Sequence, residues 1–264
     1  MAGCFVNGRI VPMRKRHPDA KPRPRLELDL VIQAAIAVLD EDGLDGLTTR
    51  RLASRLGVQS AALYWYVRDK DELLDLVADA ICAPALEPIM AAVQASGLDL
   101  RQRWMAAMRS YRAVLRSHRD APRLLAERPP VGPIRRRLGD AAVGSLLDAG
   151  FSEADAAMIA LTFSDYVISV VNEEMRFEAS PSNTDTDAHE DSTAYPNLER
   201  VAPFLATAAP GALFEFAMGL LLDGVERRLA HVRASGHRIG TGRRERSAHR
   251  KLPDAEAELD RQAV

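Results

Sequence analysis

"LTTRRLASRLGVQSAALYWYVRDKDELL", residues 47–74, is the stretch that decides the fold. It holds two short helical patterns and a tight connection. "RRLASRL" places Leu52, Ala53 and Leu56 on one face and ends at Gly57; "SAALYWYV" restarts the helix, with Ser60 expected to cap it. Thr48 or Thr49 can cap the first helix. Two short helices joined by a glycine-containing turn make a helix-turn-helix, whose second helix lies in the DNA major groove. Leu63 and Val67 form the inner face of that second helix. Tyr64 and Tyr66 then point elsewhere, where a phenol reaches a phosphate oxygen or a thymine methyl. Trp65 is expected to pack partly into the scaffold, with no role at DNA. Arg50, Arg51, Arg55, Arg68 and Lys70 fringe the motif and can neutralise phosphates. The helix start at Thr48 and Thr49 offers free amides to another phosphate. The alternative reading of these residues is an ordinary helical hairpin with a solvated charged face.

Upstream, "LDLVIQAAIAVLDEDG" (28–43) puts Leu28, Val31, Ile32, Ala35, Ile36 and Leu39 on one helical face, and Gly43 supplies a stop. Downstream, Asp69 caps a long helix through "KDELLDLVADAI" that ends near Pro84 or continues past a kink there. Further helices are expected near 99–117, 121–126, 132–149, 153–178 and 211–232. Between the last two, "ASPSNTDTDAHEDSTAYPN" (179–197) is polar, acidic and rich in turn formers, a mobile loop by composition. No β-period alternation of useful length and no internal repeat appears.

The pattern is all-α, and four segments are expected. Residues 1–25 carry Arg9, Arg14, Lys15, Arg16, Lys21, Arg23 and Arg25 against Asp19, with four prolines, and read as a flexible basic arm. Met13 within it is an alternative start. Residues 26–72 form the DNA-binding domain and 73–232 a larger helical domain for ligand binding and dimerisation. Residues 233–264 are charged, have few apolar anchors, and read as a disordered tail.

The 264 residues are 47% hydrophobic, enough for a substantial core. The net charge is −2, so any affinity for nucleic acid must come from a local patch. Cys4 and Cys82 lie far apart without metal-ligand spacing, which suits a reducing cytosol. No run approaches the roughly 18–20 apolar residues of a membrane span, and the N-terminus lacks a signal-peptide pattern. A soluble, cytoplasmic protein with no membrane partner is expected. The six histidines show no metal or catalytic spacing. GxSxG, HExxH, Walker and dinucleotide fingerprints are all missing, so the expectation is no enzyme, no cofactor and no metal.

"GLTTRRLASRLGVQSAALYWYVRDKDELLDLVADAI" resembles the DNA-binding domain of the tetracycline-repressor (TetR) family over residues 28–82. "SHRDAPRLLAERP" (117–129), "GFSEADAAMIAL" (150–161) and "VNEEMRF" (171–177) resemble the C-terminal domain of its tetracycline-binding branch. The resemblance implies homodimers on double-stranded operator DNA. It carries DNA-contact roles onto Thr49, Arg50, Gln59, Ser60, Ala61, Tyr64, Tyr66 and Lys70, with Arg50 at the position that reads a guanine. Where the tetracycline branch begins its recognition helix with Gln-Pro-Thr, this chain has Ser60, Ala61 and Ala62, which implies a different operator sequence.

The 153–178 and 211–232 helices carry apolar stripes, Ala157, Leu161, Ile168 and Val171, and Leu213, Phe216, Leu220 and Val225. Their expected use is a four-helix interface between two chains; the alternative is burial within one monomer. A small-molecule pocket is expected between these helices and the 99–117 helix. Its candidate lining is Leu86, Trp104, Ala107, Met108, Tyr111, Leu125, Phe163, Asp165, Ile168 and Glu173. The apolar members serve equally as plain core, whereas Asp165 and Glu173 need a partner that a polar ligand group can supply.

Tetracycline repressors hold drug and magnesium with histidines and an asparagine. The matching positions here are Leu86, Ala107 and Asp165, and the histidine near Leu124 is missing; Glu173 alone survives, and Tyr111 replaces an aromatic. The inducer implied is therefore a larger, largely apolar or aromatic molecule, drug- or polyketide-like, with no magnesium. The expectation is a ligand-responsive repressor of an efflux or metabolite gene. The alternative is a DNA-binding regulator or architectural protein without small-molecule control.

Overall fold

The computed structural model describes the backbone of residues 3–6, 9–12, 27–179, 195–207, 209 and 211–248, with side chains for 27–179, 195–205, 207, 209 and 211–234. Helix α1 (Leu28–Gly46) buries Val31, Ile32, Ala35, Ile36 and Leu39, the face that the 3.6-residue period selects. Gly43 breaks its regular course at φ 76°, a backbone region costly for residues with a Cβ. Helix α2 (Thr49–Leu56) starts where Thr48 Oγ1 accepts the Arg51 N–H at 3.2 Å. It stops at Gly57, whose left-handed φ of 65° reverses the chain into the next element.

Helix α3 is shorter than the sequence suggests, spanning only Ser60–Leu63. Its N-cap is Gln59, with no side-chain bond, and Ser60 is its first helical residue instead of its cap. The aromatic run that follows favours helix weakly, and Asp69 already serves as N-cap of the next helix, accepting the Glu72 N–H at 2.8 Å. A turn through Tyr66 joins the two and still buries Leu63 and Val67.

Helix α4 (Lys70–Gln94) runs on through Pro84 and Pro88. It is followed by α5 (Leu100–Arg116), α6 (Ala121–Glu127), α7 (Pro133–Ala149) and α8 (Glu153–Ala179). The spine of the larger domain is α4 packed on α5 and α7. Trp104 of α5 ties it together: its ring meets Phe163 of α8 edge-on at 4.8 Å, and its indole N–H donates to Ser145 Oγ of α7 at 3.1 Å. By length and composition α4 and α8 are apolar enough to cross a membrane, contrary to the sequence reading, because their few charges are widely spaced. In this fold α4 buries Leu73, Val77, Ile81 and Ile89, and α8 buries Phe163, Val167 and Val171.

Three further regions depart from expectation. Gly3–Val6 (β1) and Arg9–Pro12 (β2) pair antiparallel within the supposed flexible arm. Their connection is Asn7-Gly8, a dipeptide strongly favoured in two-residue hairpins. A two-stranded ribbon does not alter the all-α class. Helix α9 (Pro196–Thr207) lies just beyond the acidic stretch, where the sequence reading placed no helix. Helix α10 (Ala212–Ala248) continues well past residue 232, through Gly236, Gly240 and Gly242, which favour helix weakly, with no proline to stop it. The mobility expected of 180–194, and the disorder expected of 249–264, lie outside the described residues.

Candidate DNA-binding face and ligand cavity

The exposed side of α2 and α3 carries Arg50, Gln59, Ala61, Tyr64, Trp65 and Lys70, with Thr49 and Ser60 half-buried beside them. Trp65 does not pack into the scaffold: it is 87% exposed, the most open large apolar side chain described. The turn after Leu63 replaces a helical step, which swings Trp65 outward and sets Tyr66, half-buried, against the core. Three of the five fringing cations are held by the scaffold. Arg51 pairs with Asp42 at 2.6 Å, Arg55 with Glu41 at 2.6 Å, and Arg68 with Glu72 at 3.2 Å. Arg50 and Lys70 make no ion pair among the described residues, leaving both charges available to phosphate or base.

In the larger domain α4, α5, α6, α7 and α8 surround a cavity of about 1460 Å³ that opens to solvent. Seven of the ten anticipated residues line it: Trp104, Ala107, Met108, Tyr111, Leu125, Asp165 and Ile168. Leu86 is buried in α4 away from it, and Phe163 lies behind Trp104 in the core. Glu173 is exposed and pairs with Arg176 at 3.2 Å. The helical period explains the exclusion. The cavity face of α8 is Asp165, Ile168, Ser169, Asn172 and Arg176, and Glu173 falls one step off it. The same arithmetic on α7 marks Arg135, Leu138, Gly139, Ala142 and Val143, a lining stripe the sequence reading missed.

Burial pushes the Cys82 thiol up to about 12. Burial also raises the Tyr111 phenol above its ordinary range, only partly offset by the nearby Arg135 charge and a hydrogen bond with Ser164. Both groups therefore stand neutral in the cavity wall.

The cavity wall is also what holds the DNA-binding head. Asp120 of the turn into α6 accepts the Leu44 N–H of α1 at 2.8 Å, close against Gly43. His118 Nδ1 lies 3.0 Å from Asp40, and the Arg119 guanidinium donates to the Glu41 carbonyl at 2.8 Å. Arg123 pairs with Asp45 at 2.9 Å and holds that carboxyl below the usual carboxylate range. Beyond α6, Arg128 pairs with Asp75 and Asp71 of α4 at 2.7 and 2.9 Å. Asp79 of α4 accepts the N–H groups of Ile134 and Arg135, at 3.2 and 2.8 Å, which caps α7.

Residues 31–77 match the family described as bacterial regulatory proteins, tetR family, and residues 95–229 match the tetracyclin repressor-like C-terminal domain. The chain belongs to the TetR family of bacterial regulatory proteins. It is 35% identical over 209 residues to the class A tetracycline repressor from transposon 1721 of Escherichia coli, covering 79% of this chain and 94% of the repressor. Its fold is similar to that of a possible TetR-family regulator from Streptomyces coelicolor A3(2), at 32% identity and TM-score 0.67, covering 76% of this chain and 99% of the other. The Streptomyces coelicolor protein ActR in complex with actinorhodin is similar at 25% identity and TM-score 0.64, covering 78% and 99%.

This TetR-family chain also leaves an apolar surface bare. On α8, Met158 and Leu161 are exposed, and on α10 so are Leu213, Phe216 and Leu220, with Phe216 at 67%. Of the stripes read from sequence, Leu213, Phe216 and Leu220 stay open, Ala157 and Leu161 are exposed at the cavity mouth, Ile168 lines the cavity, and Val171 and Val225 are buried in the monomer. Helix α9 adds Leu198, Phe204 and Leu205, exposed as well.

Proposed function

We propose that this regulator is a repressor that binds a palindromic operator as a homodimer and leaves it when a small molecule fills the cavity. The observation that carries the reading is the double use of α6: Asp120 and Arg123 line the cavity, and the same side chains grip Leu44 and Asp45 of α1. A ligand can shift the DNA-competent state only by its differential affinity for the two states. A wall shared between the cavity and the DNA-binding head supplies that difference.

Thr48, Thr49, Arg50, Gln59, Ser60, Ala61, Tyr64, Tyr66 and Lys70 form the reading surface, and Trp65 joins it on the strength of its exposure. Residues 26–72 act as the DNA-binding domain and 73–232 as the inducer and dimer domain. The inducer is largely apolar or aromatic and drug- or polyketide-like. The apolar lining favours such a molecule, and no histidine is among the lining residues to hold magnesium. ActR, with its actinorhodin complex, gives a family precedent for a ligand of that kind. The exposed apolar faces of α8 and α10 serve as the dimer interface. The target is an efflux or metabolite gene, controlled in the cytoplasm where the DNA lies.

Selection from a random duplex pool tests the reading. The expected product is an inverted repeat with half-sites about one helical turn apart or a multiple of it. Arg50→Ala should stay folded and lose roughly 1–3 kcal/mol of operator affinity, with relaxed preference at one base pair of each half-site. Unchanged selectivity at every position would remove Arg50 from base reading, and an unenriched pool would overturn the repressor.

A further inference from the structure

The charges of the cavity divide by depth. Glu127, Arg136, Asp140, Asp165 and Arg176 are exposed residues of its rim, where water screens them. The charged lining residues that are half-buried are Asp120, Arg123, Arg128 and Arg135. Three of these have committed partners: Asp120 takes the Leu44 N–H, Arg123 pairs with Asp45 and Glu127, and Arg128 pairs with Asp71 and Asp75. Arg135 alone among them has no carboxylate partner among the described residues. Its guanidinium donates to main-chain carbonyls only, those of Pro129 at 3.1 Å, Arg128 at 3.0 Å and Leu125 at 3.4 Å. The Nε–H and one Nη1 hydrogen remain uncommitted by these bonds. The cation lies close enough to Tyr111 and Cys82, both neutral and both in the cavity wall, to act on them electrostatically. Two carboxylates act on the same groups, Asp79 on Cys82 and Asp165 on Tyr111, and Asp79 takes the Arg135 main-chain N–H, but neither pairs with the guanidinium. A half-buried guanidinium without a carboxylate partner is a site that favours an anion, since a charged partner restores what desolvation removes.

We infer that the inducer is an aromatic acid whose carboxylate, or equally acidic group, sits on Arg135 while its rings lie against Trp104, Met108 and Ile168. This deepens the ligand-responsive reading and rests on it. Arg135 also closes the carbonyl end of α6, so an anion drawn to the guanidinium competes for donors that now hold that helix. The ligand's charge is thereby placed at the hinge of the wall that grips α1.

Matched probes test it: anthraquinone-2-carboxylate against anthraquinone-2-carboxamide, identical in ring and size. Trp104 in the cavity wall reports their binding by quenching, and Trp65→Phe removes the other tryptophan of the chain. The wild-type cavity is expected to prefer the acid by about 10- to 150-fold, the range of a charge-assisted hydrogen bond. Arg135→Met should abolish the preference, bringing the acid and the carboxamide to equal affinity, whatever the absolute level. Equal binding of the two probes to wild type, no binding of either, or a preference that survives in Arg135→Met overturns the assignment. The wild-type comparison decides the matter if that variant does not fold. A selective acid that leaves the operator bound supports the anion site and refutes the repressor mechanism; operator release by both probes at equal dose does the reverse.

Discussion

Asp165 stands at the cavity rim with no ion-pair partner among the described residues, while Glu173, farther along the same helix, is exposed and paired with Arg176. Their substitutions should therefore separate. Asp165→Asn is expected to shift the ligand dose for operator release by roughly 10- to 150-fold if the carboxylate bonds the ligand. Glu173→Gln should leave that dose unchanged. A release titration of wild type and both variants reads the difference, and parallel loss of ligand-free DNA binding in both would make these acids part of the assembly instead. At this scale the sequence was informative where period and chemistry agreed. Thr48 caps α2, Gly57 turns the chain, and Leu63 and Val67 face inward, because each choice is local. Trp65 was misplaced because its direction depends on where α3 stops, and that depends on competition between a weak aromatic run and the Asp69 cap. Arg135 is not legible as a lining residue because the helical period gives the existence of α7 but not which of its faces meets the cavity.

Helix α6 is the element on which the mechanism turns. Asp120, which introduces it, holds a left-handed φ of 55° and accepts the Leu44 N–H. Asp and Asn tolerate that conformation better than other residues with a Cβ. Asp120→Asn keeps the tolerance and an acceptor oxygen, so its effect should be small. Asp120→Ala loses both, and should cost about 1–3 kcal/mol of stability through the unsatisfied amide. It should also shrink the ratio of operator affinities measured without and with ligand. Equal stability of the two variants would show the Asp120–Leu44 contact to be inert. The long apolar helices were legible from their period alone. Helix α9 was not, because a proline and the preceding acidic stretch mask the Leu198, Val201 and Leu205 pattern, and these side chains are exposed among the described residues. The hairpin escaped notice because its strands are short and its signal is one dipeptide.

Across the whole molecule, the proposed dimer would cover the exposed apolar side chains of α8 and α10, since monomers rarely leave contiguous apolar surface of this kind to water. Phe216→Arg is expected to give a folded monomer in sedimentation and to weaken operator binding severely, because two linked half-site contacts become independent ones. A Phe216→Arg protein that remains dimeric would move the interface elsewhere. The all-α architecture and the DNA-binding motif were readable because both are written in local periodicity. The cavity, assembled from five helices distant in sequence, was readable only in part, through α5, α8 and Leu125 of α6.

The most direct test of the account is one measurement: operator affinity of the dimer with the cavity empty and with it saturated, occupancy being followed by Trp104 quenching. The account predicts that saturation weakens operator binding by about 5- to 150-fold, a coupling of 1–3 kcal/mol, and that operator weakens ligand binding by the same factor. An operator affinity that stays constant while Trp104 reports a full cavity would contradict it.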